Sequence, residues 1–181
     1  MLVIDQGGQS TRAVVYNSQR EILANARFAI ASQAQGLQVE QSLDEILQSV
    51  QQVIAEAFAA LSANQQKLLT GVALIVQRAS FVAVNKTTGK ALTEVISWQD
   101  TRNIKLPAIE VKMPWQQEIT GLRPNAHLGA SKMAWLLEHN PLIKQAASEN
   151  DVLFMPLGAV IAAFITNTKP EYTEPALAQR T

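Results

Sequence analysis

The chain has 181 residues, 48% of them hydrophobic and 17% charged, with 15 basic side chains set against 15 acidic ones and no cysteine. That length holds one large domain or two small ones with a real core. Zero net charge gives no reason to expect nucleic acid or an anionic membrane as a partner, and the missing thiols exclude disulfides and thiolate metal sites. A strand-like run begins directly after Met1, leaving no room for a charged leader and signal core, so the expected location is cytoplasmic.

Leu2 to Gln6 and Thr11 to Asn17 read as strands around a glycine turn, and Glu21 to Ala29 as a third, which makes a three-stranded antiparallel meander. Ser32 to Val39 is a polar connection containing Gly36. Ser42 caps a helix, with Glu45 completing a capping box, and apolar residues from Leu43 to Leu61 recur at helical spacing to about residue 62. After a break, Thr70 to Val76 is a continuous apolar run of the kind buried on both faces. The helical crossover makes it parallel to the first strand. Phe81 to Val84 is a further strand, Asn85 to Lys90 a turn, and Ala91 to Trp98 an extended segment broken by Asp100-Thr101-Arg102. Residues 103–114 read as a loop or short irregular helix, and Trp115 to Thr120 as a short helix stopped by Gly121. Ser131 to His139 and Leu142 to Ala147 are helices, Asp151 to Phe154 a buried strand, and Leu157 to Thr166 a buried helix. The apolar stretch Val152 to Ile165 contains Pro156 and is too short for a bilayer of about 30 Å. The tail from Asn167 is polar.

Chemistry gathers at the first turn, Asp5-Gln6-Gly7-Gly8-Gln9-Ser10-Thr11-Arg12. Glycines let backbone N–H groups turn toward an anion, Arg12 supplies charge, and Asp5 can hold a hydrated Mg²⁺. A plain Gly-Gly hairpin with a capping aspartate is the alternative. His127 and His139 are the only histidines, too few for a His-rich metal site.

The order β-β-β-α-β, with an acidic residue ending the first strand, is similar to the ribonuclease-H-like, or actin-like ATPase, arrangement. A two-metal nuclease of that fold needs a second carboxylate after the first helix, and the strand there ends Val76-Gln77-Arg78 without one. The motifs instead resemble those of the FGGY carbohydrate kinases. Asp5, Gly7, Ser10 and Arg12 match the family's phosphate hairpin, although Gly8 and Gln9 stand where it carries hydroxyl residues. Gly71 to Arg78 is similar to the strand that ends Gln-Arg-Glu in glycerol-kinase-like members. Ile96 to Arg102 resembles the Trp-x-Asp-x-Arg segment. Thr120-Gly121-Leu122 and Lys132 to Leu136 resemble a Thr-Gly-Leu…Lys-x-x-Trp-Leu stretch. Tyr172 to Thr181 is similar to a closing Thr-Asp-x-x-x-Ala-Ser-Arg-Thr.

The resemblance implies an α/β chain of actin-like fold, the meander followed by parallel strands with helices. Residues 1–181 would form a partial N-terminal lobe of a sugar kinase that uses ATP and Mg²⁺, with the C-terminal ATPase lobe absent and the aspartate base lying beyond Thr181. Asp5 would hold Mg²⁺, and Gly7, Ser10 and Arg12 the phosphates. Arg78 would contact a sugar or polyol, with a surface charge at a strand end as its alternative. His127 falls where glycerol-kinase-like members carry a substrate-contacting tyrosine, with a solvated or structural histidine as the alternative. Ala79 replaces a glutamate, which disfavours glycerol itself. Trp98 reads as core, with packing beside the sugar site as its alternative, and Trp135 as core; Asp100 and Arg102 read as a loop-fixing ion pair, with direct catalysis as the alternative. The fragment is expected to be inactive alone and, with apolar surface uncovered, to form a homo-oligomer. A non-catalytic sugar- or partner-binding remnant is the other reading, and a nuclease a weaker third.

Overall fold

The first sheet follows from alternation in the sequence. Leu2, Ile4 and Gln6 are buried, while Val3 and Asp5 between them are only half-covered. The computed structural model describes residues 1–104, 118–122, 125–169 and 173–178. In chain order its strands and helices run β1 (Leu2–Gln6), β2 (Ser10–Tyr16), β3 (Ile22–Ala29), β4 (Gln33–Gln35), β5 (Gln38–Gln41), α1 (Leu43–Ala59), α2 (Ala63–Lys67), β6 (Val72–Val76) and β7 (Phe81–Asn85). Then come β8 (Val95–Ile96), α3 (Gly129–His139), α4 (Pro141–Ser148), β9 (Val152–Pro156), α5 (Leu157–Thr166) and α6 (Pro175–Ala178). The chain divides into two units, Met1–Ser32 with Gln41–Gln77, and Gln33–Glu40 with Arg78–Thr181.

Unit 1 holds a sheet of order β3-β2-β1-β6. β1 and β2 are antiparallel, as are β2 and β3, and β6 runs parallel to β1 with Asp5 opposite Ile75. The predicted meander and parallel strand are therefore present. α1 starts where Ser42 accepts the Glu45 N–H, and Asp44 and Glu45 complement the positive end of its dipole. Its Val53 and Ala57 close a core with Ile4, Ala13, Val15 and Ala26. Thr11 and Ser49 add a buried polar tie, their hydroxyl oxygens 2.6 Å apart, while Ser49 donates to the Ile46 carbonyl at 2.6 Å. α1 ends at Ala59 rather than near residue 62, because Ser62 and Gln65 cap a new helix reciprocally. The expectation for β6 is corrected. Among the described residues it pairs only with β1, and Val72 and Ile75 are 54% and 56% exposed.

Unit 2 is built on a sheet of order β4-β5-β8-β7-β9. The β4–β5 hairpin, with Gly36 at φ 61° in its turn, occupies the stretch predicted to be a mere connection. Of the extended segment expected over Ala91 to Trp98, only Val95–Ile96 is strand, with one further bridge from Ala91 to Val84. Phe81, Ala83, Ile96, Leu136 and Ile143 form the core, and Phe154 meets Phe81 edge-on with ring centroids 5.8 Å apart. α4 is capped by the Asn140 side chain and has Pro141 in its first turn, where no N–H is needed. α5 buries Leu157, Ala159 and Ile161 but leaves Phe164 and Ile165 exposed, so it is covered on one side only. Residues 118–120 are helical; the rest of the helix predicted over Trp115 to Thr120, most of 103–114 and most of the final motif block lie outside the described residues. Among the described residues no helix is long and apolar enough to cross a membrane.

Candidate functional site

In unit 1 the turn between β1 and β2 collects the phosphate candidates. Gly7 donates its N–H to the Ser10 carbonyl at 3.0 Å, which closes the turn. The Gly8 carbonyl accepts from Gln41 Nε2 at 2.8 Å, and the Gln9 carbonyl from the Ile30 N–H at 2.9 Å. Both carbonyls are thus tied back into the fold, while the Gly8 and Gln9 N–H groups have no acceptor among the described residues. Two adjacent free amides are what an anion needs. Asp5 and Arg12 are direct cross-strand partners on the face away from α1. They form no ion pair with each other, and among the described residues neither side chain has a hydrogen-bond partner. Ser10 is 6% exposed, and its hydroxyl also lacks a described partner.

Sequence reasoning missed what steadies this turn. Gln6 and Gln41 are fully buried. Gln77 Nε2 donates to Gln41 Oε1 at 2.8 Å and to Gln6 Oε1 at 3.1 Å, while Gln6 Nε2 reaches the Gly7 carbonyl at 2.8 Å. The three carboxamides join the ends of β1, β5 and β6 behind the glycines. Their spacing in the chain carries no periodic signal that would reveal them.

A lone half-buried carboxylate fits a magnesium ion held through water beside phosphate oxygens, rather than one caged by protein ligands. No group of three or more His, Asp or Glu side chains suited to a metal occurs among the described residues.

In unit 2 Ser80, two residues after Arg78, and His127 both bond the Trp98 backbone. Arg78 is exposed at the end of β6 and is followed by Ala79 at φ 63°, a left-handed conformation that costs a residue with a Cβ on the order of 1–3 kcal/mol. Ser80 Oγ accepts the Trp98 N–H at 2.9 Å. The Trp98 carbonyl lies 3.3 Å from Nδ1 of His127, which donates when that nitrogen carries the proton. Trp98 itself is 42% exposed, so the core reading of this side chain is corrected.

That turn is fixed by buried charge. Arg102 contacts Asp100 at 2.8 Å and Glu40 at 2.6 Å, and its guanidinium lies 5.2 Å over the Trp135 ring. The predicted Asp100–Arg102 pair is therefore formed. Burial works against the Arg102 charge, but the hydrogen bonds it donates to the Asp100 and Glu40 carboxylates, with their charge, outweigh it and hold the group above its ordinary range. Asp100 also accepts the Val39 N–H at 2.7 Å. Lys132, fully buried on α3, donates to the Ser97 carbonyl at 2.8 Å. Burial lowers its pKa to about 8, with nearby Asp100 partly offsetting and Arg102 reinforcing the effect.

The β3-β2-β1-β6 order of unit 1, with β1, β2 and β3 antiparallel and β6 parallel to β1, is the arrangement expected of an actin-like lobe. Residues 1–175 match the model of the FGGY family of carbohydrate kinases, N-terminal domain, and the chain belongs to that family. Over its whole length it is 30% identical to a glycerol kinase of Bradyrhizobium diazoefficiens and 28% identical to glycerol kinase 2 of Saccharolobus solfataricus. It spans 37% of the length of each. A Plasmodium falciparum glycerol kinase solved with ADP superposes on 99% of the chain with a TM-score of 0.82 at 23% identity, the chain covering 37% of that structure. A ligand-bound xylulose kinase from Lactobacillus acidophilus superposes on 99% with a TM-score of 0.73 at 18% identity, 36% of it being covered. These likenesses establish the ribonuclease-H-like, actin-like fold.

Proposed function

We propose that this chain is the sugar-side N-terminal domain of a kinase that transfers the terminal phosphoryl group of ATP to a hydroxyl of a sugar or polyol. The observation that carries this reading is the open turn of unit 1, where the side chains of Asp5 and Arg12 and the Gly8 and Gln9 N–H groups have no described partner, in a chain of this family. Asp5 would hold Mg²⁺ through water, and Gly7, Ser10 and Arg12 would position the phosphates. The bound metal would neutralise charge on the phosphates; positioning and electrostatics supply nearly all the catalysis in such a transfer. Arg78 would donate to acceptor hydroxyls, and His127, oriented on the Trp98 carbonyl, would add a further hydrogen bond. The acceptor oxygen forms the new bond to phosphorus, the bond to the ADP oxygen breaks, and the acceptor proton goes to an aspartate base expected beyond Thr181. Ala79 in place of the glutamate of glycerol-kinase-like members points away from glycerol itself. Drawing on ATP suits a cytoplasmic protein.

A non-catalytic sugar-binding role is the second reading. It is favoured by Gly8 and Gln9 standing where the family has hydroxyl residues.

A polyol and sugar panel titrated against the chain, followed by chemical shifts of the Arg78–Ser80 and Trp98 amides, tests the acceptor side. Arg78→Ala should weaken the best binder ten- to hundredfold, since a charged hydrogen bond to a neutral hydroxyl is worth about 1.5–3 kcal/mol. Arg78→Lys should lose nearly as much, because an ammonium cannot reproduce the guanidinium fork. Unchanged affinity in both variants would remove Arg78 from the site.

A further inference from the structure

Arg12 has a second cationic neighbour that the functional reading leaves unused. Arg27 on β3 is its direct cross-strand partner, so the two guanidinium groups rise from the same face of the sheet. Both side chains are exposed, and neither has a hydrogen bond or ion pair among the described residues. Asp5 flanks Arg12 on the other side, giving a row of one carboxylate and two arginines across β1, β2 and β3. Like charges set directly opposite each other are unfavourable in an antiparallel pair. Asp5, the cross-strand partner of Arg12, forms an ion pair with neither arginine. The row lies beside the turn whose Gly8 and Gln9 amides are free, and Ser10, on the same face of β2 as Arg12, has a buried hydroxyl with no described partner.

We propose that Arg27 is a second phosphate-binding arginine, which with Arg12 grips two linked phosphates of a nucleoside polyphosphate. The inference rests on the reading of the turn as a phosphate hairpin. A single phosphate is served by the amides and Arg12. A linked pair spreads more negative charge over a longer span, and a second guanidinium one strand away offers another planar fork to the further phosphate.

Inorganic pyrophosphate and orthophosphate, titrated calorimetrically against the chain with Mg²⁺ present, separate the two levels of the inference. Arg27→Ala should weaken pyrophosphate about tenfold and orthophosphate less than twofold, while Arg12→Ala should weaken both. Arg27→Lys should restore part of the pyrophosphate affinity. Arg27 is exposed, and circular dichroism melts of each variant confirm that the fold is intact. If Arg27→Ala leaves pyrophosphate within twofold of the unsubstituted chain while Arg12→Ala weakens it, Arg27 has no such role and the hairpin reading stands. Equal losses for both anions would also overturn the proposal, since they mark only diffuse charge. Failure of the unsubstituted chain to bind pyrophosphate would overturn the hairpin reading and the Arg27 role together.

Discussion

Lys132 carries its charge into the interior of unit 2 with one carbonyl partner, Ser97, and with Asp100 and Arg102 close enough to act on it. Its folded pKa of about 8 lies below the ordinary 10.5. Between those values the unfolded chain binds more protons than the folded one, so stability contributed by this residue rises with pH across the window. Below about pH 8 both states hold the proton and the burial cost is fully present. Each tenfold change in proton affinity is worth about 1.4 kcal/mol, so the relief approaches about 3 kcal/mol by pH 10.5. Urea melts of the native chain and Lys132→Met at pH 7 and pH 10 isolate this contribution, because other titrating groups are common to both. The native chain should gain on the variant by about 2–3 kcal/mol between the two pH values. A constant gap would mean that the ammonium is not held in a desolvated site.

At the scale of elements, β6 is the informative strand. Its apolar run reads as buried on both faces, yet it is an edge among the described residues, with Val72 and Ile75 half-exposed. An unprotected apolar edge is a template for pairing with another chain. The chain should therefore form dimers or larger species at micromolar concentration by light scattering, and Ile75→Lys should shift it toward monomer. A clean monomer of the unsubstituted chain would contradict this. The sequence made β1, β2, β3 and α1 legible because their apolar residues keep a strict period and Ser42 marks a start. It hid β4 and β5, where Gln33 to Gln41 has almost no apolar alternation. Those strands are held by distant partners instead: Val39 N–H on Asp100, and the Val39 carbonyl receiving Ser97 N–H. The site divides the same way. Asp5 and its glycines announce themselves locally, whereas the Gln6–Gln41–Gln77 trio and Lys132 act through residues more than thirty positions away.

For the whole molecule, the proposed reading puts phosphate binding in unit 1 and acceptor recognition in unit 2, and it expects the aspartate base to come from a part of the kinase other than residues 1–181. The chain spans 37% of the glycerol kinases it matches. A coupled ADP-release assay over a sugar panel should accordingly show no sugar-dependent turnover near about 1 s⁻¹, the low end for kinases. Turnover at that rate would put the base within these residues. The central claim is that Asp5 serves a magnesium-bound phosphate at the β1–β2 turn. Calorimetric titration of the chain with ADP, with and without Mg²⁺, in the native form and in Asp5→Asn, tests it most directly. The account expects binding that strengthens with Mg²⁺ in the native chain and loses that dependence in Asp5→Asn. Equal affinity in all four titrations, or an undiminished Mg²⁺ effect in the variant, would contradict it.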